Sequence, residues 1–262
     1  MSELAIPTIR PSSLRTDMRT MIARGVRISS RNLDAMITAL MLPIILMLLF
    51  VYLFGGALQT DGVKYVNYVV PGVILLCAGF GSATTAVTVS LDMKGGIIDR
   101  FRSMDVGGTA FLTGHVIAST VRNLVSTALV IGVAFAIGFR PHASAADWLA
   151  AMAILTLFIL ALSWFAATVG LIAGSPEAAS GFTFLVMFLP YPSSAFVPIH
   201  TMPSWLQGFA ENQPCTTVIE SLRALLSGQA VGSCPMRAVL WCGGILVLAM
   251  GVSAILFQRK AR

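Results

Sequence analysis

Charged residues are scarce in this chain. Only 11% of its 262 residues are Asp, Glu, Lys or Arg, whereas 56% are hydrophobic. A soluble domain carries about 25% charged and about 45–50% apolar residues, so too few polar groups are present here to cover a surface that faces water. A lipid bilayer, in contrast, accepts apolar side chains directly. The composition therefore excludes an ordinary soluble domain and predicts an integral membrane protein.

Lysine is the rarest of the charged residues. The three lysines are Lys64, Lys94 and Lys260, and none of them follows a glycine. A phosphate-binding P-loop needs a lysine directly after glycine, because that lysine reaches the nucleotide phosphates. The chain is therefore not expected to hydrolyse ATP by itself.

Patterns typical of catalysis or metal binding are also missing. The four cysteines include no CxxC pair, the three histidines are scattered along the chain, and neither HExxH nor GxSxG occurs. The eleven acidic residues fall in the N-terminal segment, in loops or at the ends of apolar runs. Ion-coupled transporters generally place carboxylates inside the bilayer. The sequence thus predicts no enzyme and no metal site, and it disfavours a proton-coupled transporter.

Long apolar runs define the expected fold, which is an all-α protein with six transmembrane helices. A run of about 20 apolar residues is long enough to cross a bilayer, and only helices satisfy the backbone of such a run in lipid. The six runs are residues 35–55, 66–90, 110–138, 147–173, 178–199 and 237–257. The first 34 residues lack the apolar core and the cleavage site of a signal peptide, so the first run is expected to be a retained span.

The distribution of lysine and arginine predicts the orientation. Twelve of these residues lie in segments on the side of both termini, and four lie on the opposite side. Cytoplasmic loops carry the excess of positive charge, so both termini are expected in the cytoplasm. The chain then divides into a cytoplasmic segment (1–34), a six-helix transmembrane domain (35–257) and a cytoplasmic tail (258–262).

The N-terminal segment contains an amphipathic stretch over residues 14–31. Its apolar side chains fall on one face at helical spacing, and five arginines fall elsewhere. This pattern favours an interface helix on the inner leaflet, with arginines toward lipid phosphates. A solvated basic tail is the alternative. The residues on the apolar face are Leu14, Met18, Met21 and Ile22.

The fifth run is interrupted. Pro190, Pro192 and Pro198 prevent a continuous helix in its outer half, and broken backbone at membrane depth must be buried in protein or line a wet cavity. In the outer loop (200–236), residues 202–211 and 216–228 predict two short helices. The second has an apolar face, so we expect it to re-enter the outer leaflet.

Two polar features leave alternatives open. Arg122 and Asn123 are the polar pair nearest to the interior of a span. Arg122 either lines a substrate path or binds a lipid head group, or it lies near the inner interface, where it snorkels or pairs with an acid of a loop; the second interpretation is favoured. Cys215 and Cys234 share the outer loop, where they form either a disulfide or two free thiols.

Two stretches resemble the ABC type-2 permease family, in its daunorubicin/doxorubicin-resistance branch. The first is Gly96–Met104, which reads GIIDRFRSM. The second begins with SPEA at Ser175 and continues through the NQP that ends at Pro214 to the ESLRAL that begins at Glu220. The sequence departs from the branch in having Asp105 where proline is usual, and His115 where arginine is frequent.

The resemblance implies a permease that is driven by a partner. A separate ATP-binding-cassette subunit would hold ATP and Mg, this chain would bind no cofactor, and a second permease, identical or related, would complete the path among membrane lipids. The loop 92–109 would carry the coupling helix, although a plain positive-inside loop is the alternative. No nucleic-acid partner is expected, because topology explains the basic residues. The coupling residues would be Ile97, Ile98, Asp99, Arg100, Phe101 and Arg102.

The implied function is export of an amphipathic or lipid-like compound, with drug efflux as one form, from the cytoplasmic membrane of a bacterium. The broken fifth span and the outer helices would form the external gate. Export of a polysaccharide or lipid-linked glycan by the same architecture is an alternative, because the aromatic residues of span five could also stack on sugars. A non-transporting receptor is a more distant one. The gate residues would be Phe188, Pro190, Tyr191, Pro192 and Phe196.

Overall fold

The computed structural model describes residues 33–56, 64–95, 108–229 and 231–260, and within these ranges the regular structure is entirely helical. The predicted all-α class is therefore confirmed. A π-helical turn, Phe50–Phe54, extends the first α-helix, and a 3₁₀ turn, Ile199–Thr201, precedes the sixth of the described α-helices. The α-helices are α1 (Leu33–Leu49), α2 (Tyr65–Lys94), α3 (Gly108–Ala136), α4 (Ala145–Ile172), α5 (Pro176–Phe188), α6 (Ser204–Asn212), α7 (Pro214–Ser227) and α8 (Cys234–Lys260).

Four helices in the described part of the chain, α2, α3, α4 and α8, are long and apolar enough to cross a membrane. The first predicted span corresponds to α1 and its π-helical turn. The fifth corresponds to α5, which has only 13 residues. At about 1.5 Å per residue it covers about 20 Å, less than a hydrocarbon core of about 30 Å. Six continuous spans are therefore not confirmed, because the fifth run forms a helix of about two thirds of the required length.

Helix α2 is the centre of the bundle and contacts α1, α3, α4, α5 and α7. In its most apolar stretch 78% of the residues are buried, compared with 17% for α8. Small residues along α2 let neighbouring backbones approach closely, which is how helices associate in lipid. Helix α8 instead exposes large apolar side chains such as Leu240, Val247 and Leu248, as expected for a lipid-facing helix.

Polar caps and prolines fix where the helices begin and end. At the start of α4 the Ser144 Oγ accepts a hydrogen bond from the Asp147 N–H (3.2 Å), and the Asp147 carboxylate accepts one from the Ser144 N–H (2.9 Å). Helix α5 begins with Ser175 as its cap and Pro176 in its first turn. It ends at Phe188, two residues before Pro190, so the predicted interruption of this run is confirmed.

The two short outer helices are present close to their predicted bounds. Helix α7 starts at Pro214 and ends at Gly228, whose φ of +65° is the left-handed conformation that suits glycine. Its apolar face is buried against α2, α4 and α8, so this helix packs into the bundle. Re-entry into the outer leaflet stays a prediction. The buried residues of the face are Val218, Ile219, Leu222, Leu225 and Leu226.

Candidate functional site

The outer-gate segment, residues 189–197, leaves the end of α5 and carries a row of aromatic contacts. The Phe196 ring stacks on Phe50 at 4.4 Å between centroids and lies 5.2 Å from Tyr191, which lies 5.8 Å from Phe188. Phe196 is buried, whereas 58% of Phe188 is exposed. The structure thus brings together the three aromatic residues predicted for the gate. It adds Phe50 of the π-helical turn, which lies far from the other three in the chain and carries no local signal for this contact.

The broken backbone of this segment is buried and hydrogen-bonded. Pro190 is buried and accepts a hydrogen bond from the Ser193 hydroxyl, while the half-buried Pro192 accepts one from the Gln213 amide. The Tyr65 hydroxyl of α2 donates to the Phe196 carbonyl at 3.0 Å. These contacts satisfy groups that a helix would otherwise pair internally, which is the condition for broken backbone at membrane depth.

Gly72 of α2 allows the outer-gate segment to approach closely. A Cβ atom at this position would lie 2.7 Å from the Ala195 carbonyl oxygen and 2.8 Å from the Ala195 Cα. Real Cβ atoms do not come so near to backbone, so only glycine fits without displacement of the segment. The gate therefore rests directly on the central helix.

Arg223 of α7 ties the gate to α2. Its Nη2 donates to the carbonyl of Ser194 at 2.6 Å and to that of Tyr68 at 3.1 Å, and its Nε donates to the second of these at 3.3 Å. The guanidinium carbon lies 3.8 Å above the centre of the Tyr68 ring, and Nη1 pairs with Glu220 at 2.6 Å. One side chain thus joins α7, α2 and the outer-gate segment. In the sequence, Arg223 is one of the four basic residues on the predicted outer side and a member of the ESLRAL stretch.

The two outer-loop cysteines are free thiols, so the disulfide alternative is wrong for this structure. Cys215 lies in the first turn of α7 with 1% of its surface exposed, whereas Cys234 is half-buried at the start of α8. Burial, with Cys242 nearby, raises the pKa of the Cys215 thiol to about 12. The amphipathic packing of α7 directs Cys215 into the core.

Halfway through the bundle, buried polar side chains join three helices. The Thr85 hydroxyl of α2 donates to the Ser119 hydroxyl of α3 at 2.8 Å, and Ser119 contacts the Ser163 hydroxyl of α4 at 3.1 Å. The Asn123 amide donates to the Ser119 carbonyl at 2.9 Å and to Ser82 at 3.4 Å. Hydrogen bonds of this kind hold helices together where no water competes.

Arg122 lies midway along α3 and is half-buried. Its Nη2 donates to the Gly81 carbonyl at 3.2 Å and to the Thr84 hydroxyl at 3.0 Å. The favoured expectation, a position near the inner interface where the side chain snorkels or pairs with an acid of a loop, stays a prediction, and the described residues supply no acid as its hydrogen-bond partner. The residue sits at the centre of its helix, and its partners in the described part of the chain are neutral groups of α2.

Where α2 ends and α3 begins, Asp92 and His115 form a hydrogen-bonded pair with Oδ2 and Nε2 3.0 Å apart. The pair links the end of α2 to the start of α3, on either side of the predicted coupling loop, and Phe111 packs edge-on against the imidazole at 4.7 Å. The loop residues 97–102 and the interface-helix residues 14–22 lie outside the described residues. In the described ranges no three His, Cys, Asp or Glu side chains converge as metal ligands do.

Comparison with known proteins identifies the family of the chain. The sequence model of the ABC-2 type transporter membrane family matches residues 16–227. The chain belongs to the ABC-2 type transporter family.

Relatives of this ABC-2 chain carry drug-resistance names. The daunorubicin resistance ABC transporter permease protein DrrB1 of Streptomyces coeruleorubidus is 30% identical over 196 residues, which are 74% of this chain and 69% of the relative. The probable doxorubicin resistance permease DrrC of Mycobacterium tuberculosis is 24% identical over 235 residues, 88% of this chain and 84% of the relative. A putative transport permease, ycf38, of Pyropia yezoensis is 25% identical over 234 residues. The resemblance to the drug-resistance branch is thus confirmed.

Proposed function

We propose that this chain is the membrane-spanning subunit of an ATP-binding-cassette exporter, which moves an amphipathic or lipid-like compound out of the cell and is driven by a separate ATPase subunit. Membership of the ABC-2 family, with drug-resistance permeases among the relatives, supports an exporter. In this proposal both termini are cytoplasmic, a second permease completes the path, and residues 97–102 dock on the ATPase.

The proposed mechanism rests on α2, which contacts the outer-gate segment near one end and leads into the predicted coupling loop at the other. Its outer end holds Gly72 against the gate, and its inner end carries Asp92, which pairs with His115. A 30-residue helix is about 45 Å long and moves as a rigid body. Displacement of the coupling loop by the ATPase would therefore shift the outer gate. Alternating access then becomes a population shift between two packings of the same helices.

The aromatic contacts favour an amphipathic compound over a glycan. Sugars bind to aromatic faces that are free to stack. Here Phe196 is 4% exposed, and its ring is engaged by Phe50 and Tyr191. The rings that remain open, Phe184 and Phe188, lie on the outer surface of the short α5 and are 65% and 58% exposed. Such isolated apolar surface suits acyl chains or a second permease.

A pull-down in mild detergent from the native host tests the proposal. The tagged chain should co-purify an ATP-binding-cassette subunit, identified by mass spectrometry. Phe101→Ala/Arg102→Ala should lose this subunit, because an apolar ring and a cation are removed from the predicted docking loop. Phe209→Ala/Arg237→Ala is the matched control, since it removes the same two side-chain types from exposed positions in the predicted outer region.

The outcomes separate the parts of the proposal. Loss of the ATPase only in the loop variant supports both the exporter and the docking site. Equal recovery with both variants would refute the docking site but keep the exporter. If no ATPase subunit co-purifies with the wild-type chain, the proposed function is wrong and a receptor becomes the better explanation.

A further inference from the structure

Arg122 is a charged side chain within a helix that is predicted to span the membrane. It is midway along a helix long enough to cross the membrane, and a charge at that depth is costly unless a partner compensates it. In the described ranges its two hydrogen bonds both come from Nη2 and end on neutral acceptors, Gly81 O and Thr84 Oγ1. A guanidinium has five N–H donors, so Nε and Nη1 stay available for a further acceptor.

The arginine is held in place by tight packing. A Cβ atom on Gly81 would lie 1.8 Å from the Asn123 side-chain oxygen, so the Asn123 amide of α3 occupies the space that a side chain at Gly81 of α2 would take. Asn123 in turn is anchored to Ser119 and Ser82. The guanidinium is thus positioned by two fixed helices and pays little entropy when it binds a partner.

The groove between α2 and α3 is open beside this guanidinium. Gly81 and Thr84 are half-buried, and Thr88, one turn further along α2, is exposed. On α3, Val121 is 41% exposed and Val125 is 46% exposed. Apolar surface therefore borders a single fixed cation. An amphipathic molecule has the matching chemistry, with chains for the valines and an oxygen-rich group for the arginine.

We propose that this groove binds the anionic oxygen group, a phosphate or a carboxylate, of an amphipathic molecule in the membrane. Two parallel N–H donors of arginine suit these planar or tetrahedral oxyanions, and the charge makes the hydrogen bonds strong. A cationic amphipath is disfavoured, because its charge would meet Arg122 in a medium of low dielectric. The inference deepens the proposed function, on which its meaning for transport rests, by naming a substrate class.

Binding to the purified chain tests the site without an ATPase. The chain is placed in phosphatidylcholine nanodiscs and titrated with phosphatidic acid carrying a dansyl group on its acyl chain. Energy transfer from tryptophan reports binding. Diacylglycerol and a trimethylammonium lipid with the same label provide the neutral and cationic probes. Arg122→Gln should weaken phosphatidic acid binding by about tenfold or more, the effect of losing one hydrogen bond to a charged group, and should leave diacylglycerol unchanged.

Two further variants keep the test decisive. Arg122→Lys keeps the positive charge but loses the two parallel N–H donors of the guanidinium. Its affinity for phosphatidic acid should therefore fall between those of the wild type and the glutamine variant. Arg140→Gln removes an exposed arginine in the turn after α3 and should not change binding. The inference is wrong if wild type and Arg122→Gln bind phosphatidic acid equally. It is also wrong if the Arg122 variants lose affinity for the anionic, neutral and cationic probes equally while the melting temperature of the protein falls.

The source of the anionic group is decided in proteoliposomes that contain the ATPase subunit. Movement of labelled phosphatidic acid on ATP addition, lost in Arg122→Gln, identifies a transported substrate. Binding without movement, while another amphipath is still exported, identifies a resident lipid. Both outcomes support the shared chemistry. If no compound is moved and no ATPase associates, the proposed function is wrong. The nanodisc measurement still decides independently whether Arg122 binds an anionic group.

Discussion

Arg223→Gln should open the outer gate. In the structure this guanidinium is 13% exposed and donates to the carbonyls of Tyr68 and Ser194, which belong to α2 and the outer-gate segment. Glutamine is shorter and uncharged, so it cannot reach both carbonyls from α7. The variant should therefore free α7 and the gate from each other while the apolar face of α7 stays intact.

The magnitude follows from the bonds that are lost. A hydrogen bond to a charged group contributes about 1.5–3 kcal/mol, so two such bonds give at least about 3 kcal/mol. The partner Glu220 is 35% exposed, and an ion pair of this kind adds less than about 1 kcal/mol. A free-energy change of about 3 kcal/mol raises the equilibrium constant for local opening by roughly a hundredfold.

Thiol labelling measures this opening. Cys215, 1% exposed at the start of α7, reacts with maleimide only when the helix lifts from the core, and its raised pKa keeps the closed state inert. The labelling rate of Cys215, resolved by mass spectrometry, should rise by one to two orders of magnitude, as a rough range from the same bond energies, in Arg223→Gln. The half-buried Cys234 is an internal reference for the reagent and should keep its rate.

Two results would refute the reasoning. One is a Cys215 rate in Arg223→Gln within about twofold of the wild type, which corresponds to less than about 0.5 kcal/mol. The other is an equal increase in Arg140→Gln, whose guanidinium donates to the carbonyls of Phe135 and Phe139 at the end of α3. The second result would show general loosening of the outer surface.

Two further changes test the ends of α2. Gly72→Ala should lower the melting temperature by the equivalent of about 1–3 kcal/mol, because its Cβ would overlap the Ala195 backbone; Gly181→Ala, with no atom within 4 Å of the added Cβ, should be neutral or stabilising. Equal effects of the two would contradict the close contact. Asp92→Asn should slow ATP-driven export severalfold in proteoliposomes, whereas His115→Arg, which places a cation opposite Asp92, should retain it. Full export by Asp92→Asn would show that the pair is not needed.

The helices were predictable because their signals are local. The apolar run 147–173 corresponds to α4, Ala145–Ile172, and the proline-rich stretch after Phe188 ends α5 where prolines remove backbone donors. The apolar face of α7 was predictable because its apolar residues recur at helical spacing. The same reasoning failed on length: residues 178–199 are apolar enough for a span, but the helix stops at Phe188. Hydropathy measures burial in apolar surroundings and does not distinguish lipid from protein.

The contacts of the candidate site were not predictable, since they join distant parts of the chain. Arg223 meets Ser194, which is 29 positions away, and Tyr68, which is 155 positions away. Phe50 reaches Phe196 from a different helix. From sequence alone the partners of Arg122 were not predictable, because nothing near it in the chain shows that α2 supplies neutral acceptors. Which helix faces meet is a property of the packed bundle.

The sequence by itself determined that this chain is a membrane protein, where most of its helices run and which family it resembles. These properties could be predicted because composition, apolar periodicity and short motifs depend only on residues that are close together in the chain. Only the tertiary structure decided that α2 is the central helix, that residues of α1, α2, α5 and α7 meet at the predicted gate, and that Arg122 bonds to neutral groups of α2. Those features depend on close approaches at Gly72 and Gly81, where the absence of a side chain leaves room for the Ala195 backbone and the Asn123 amide.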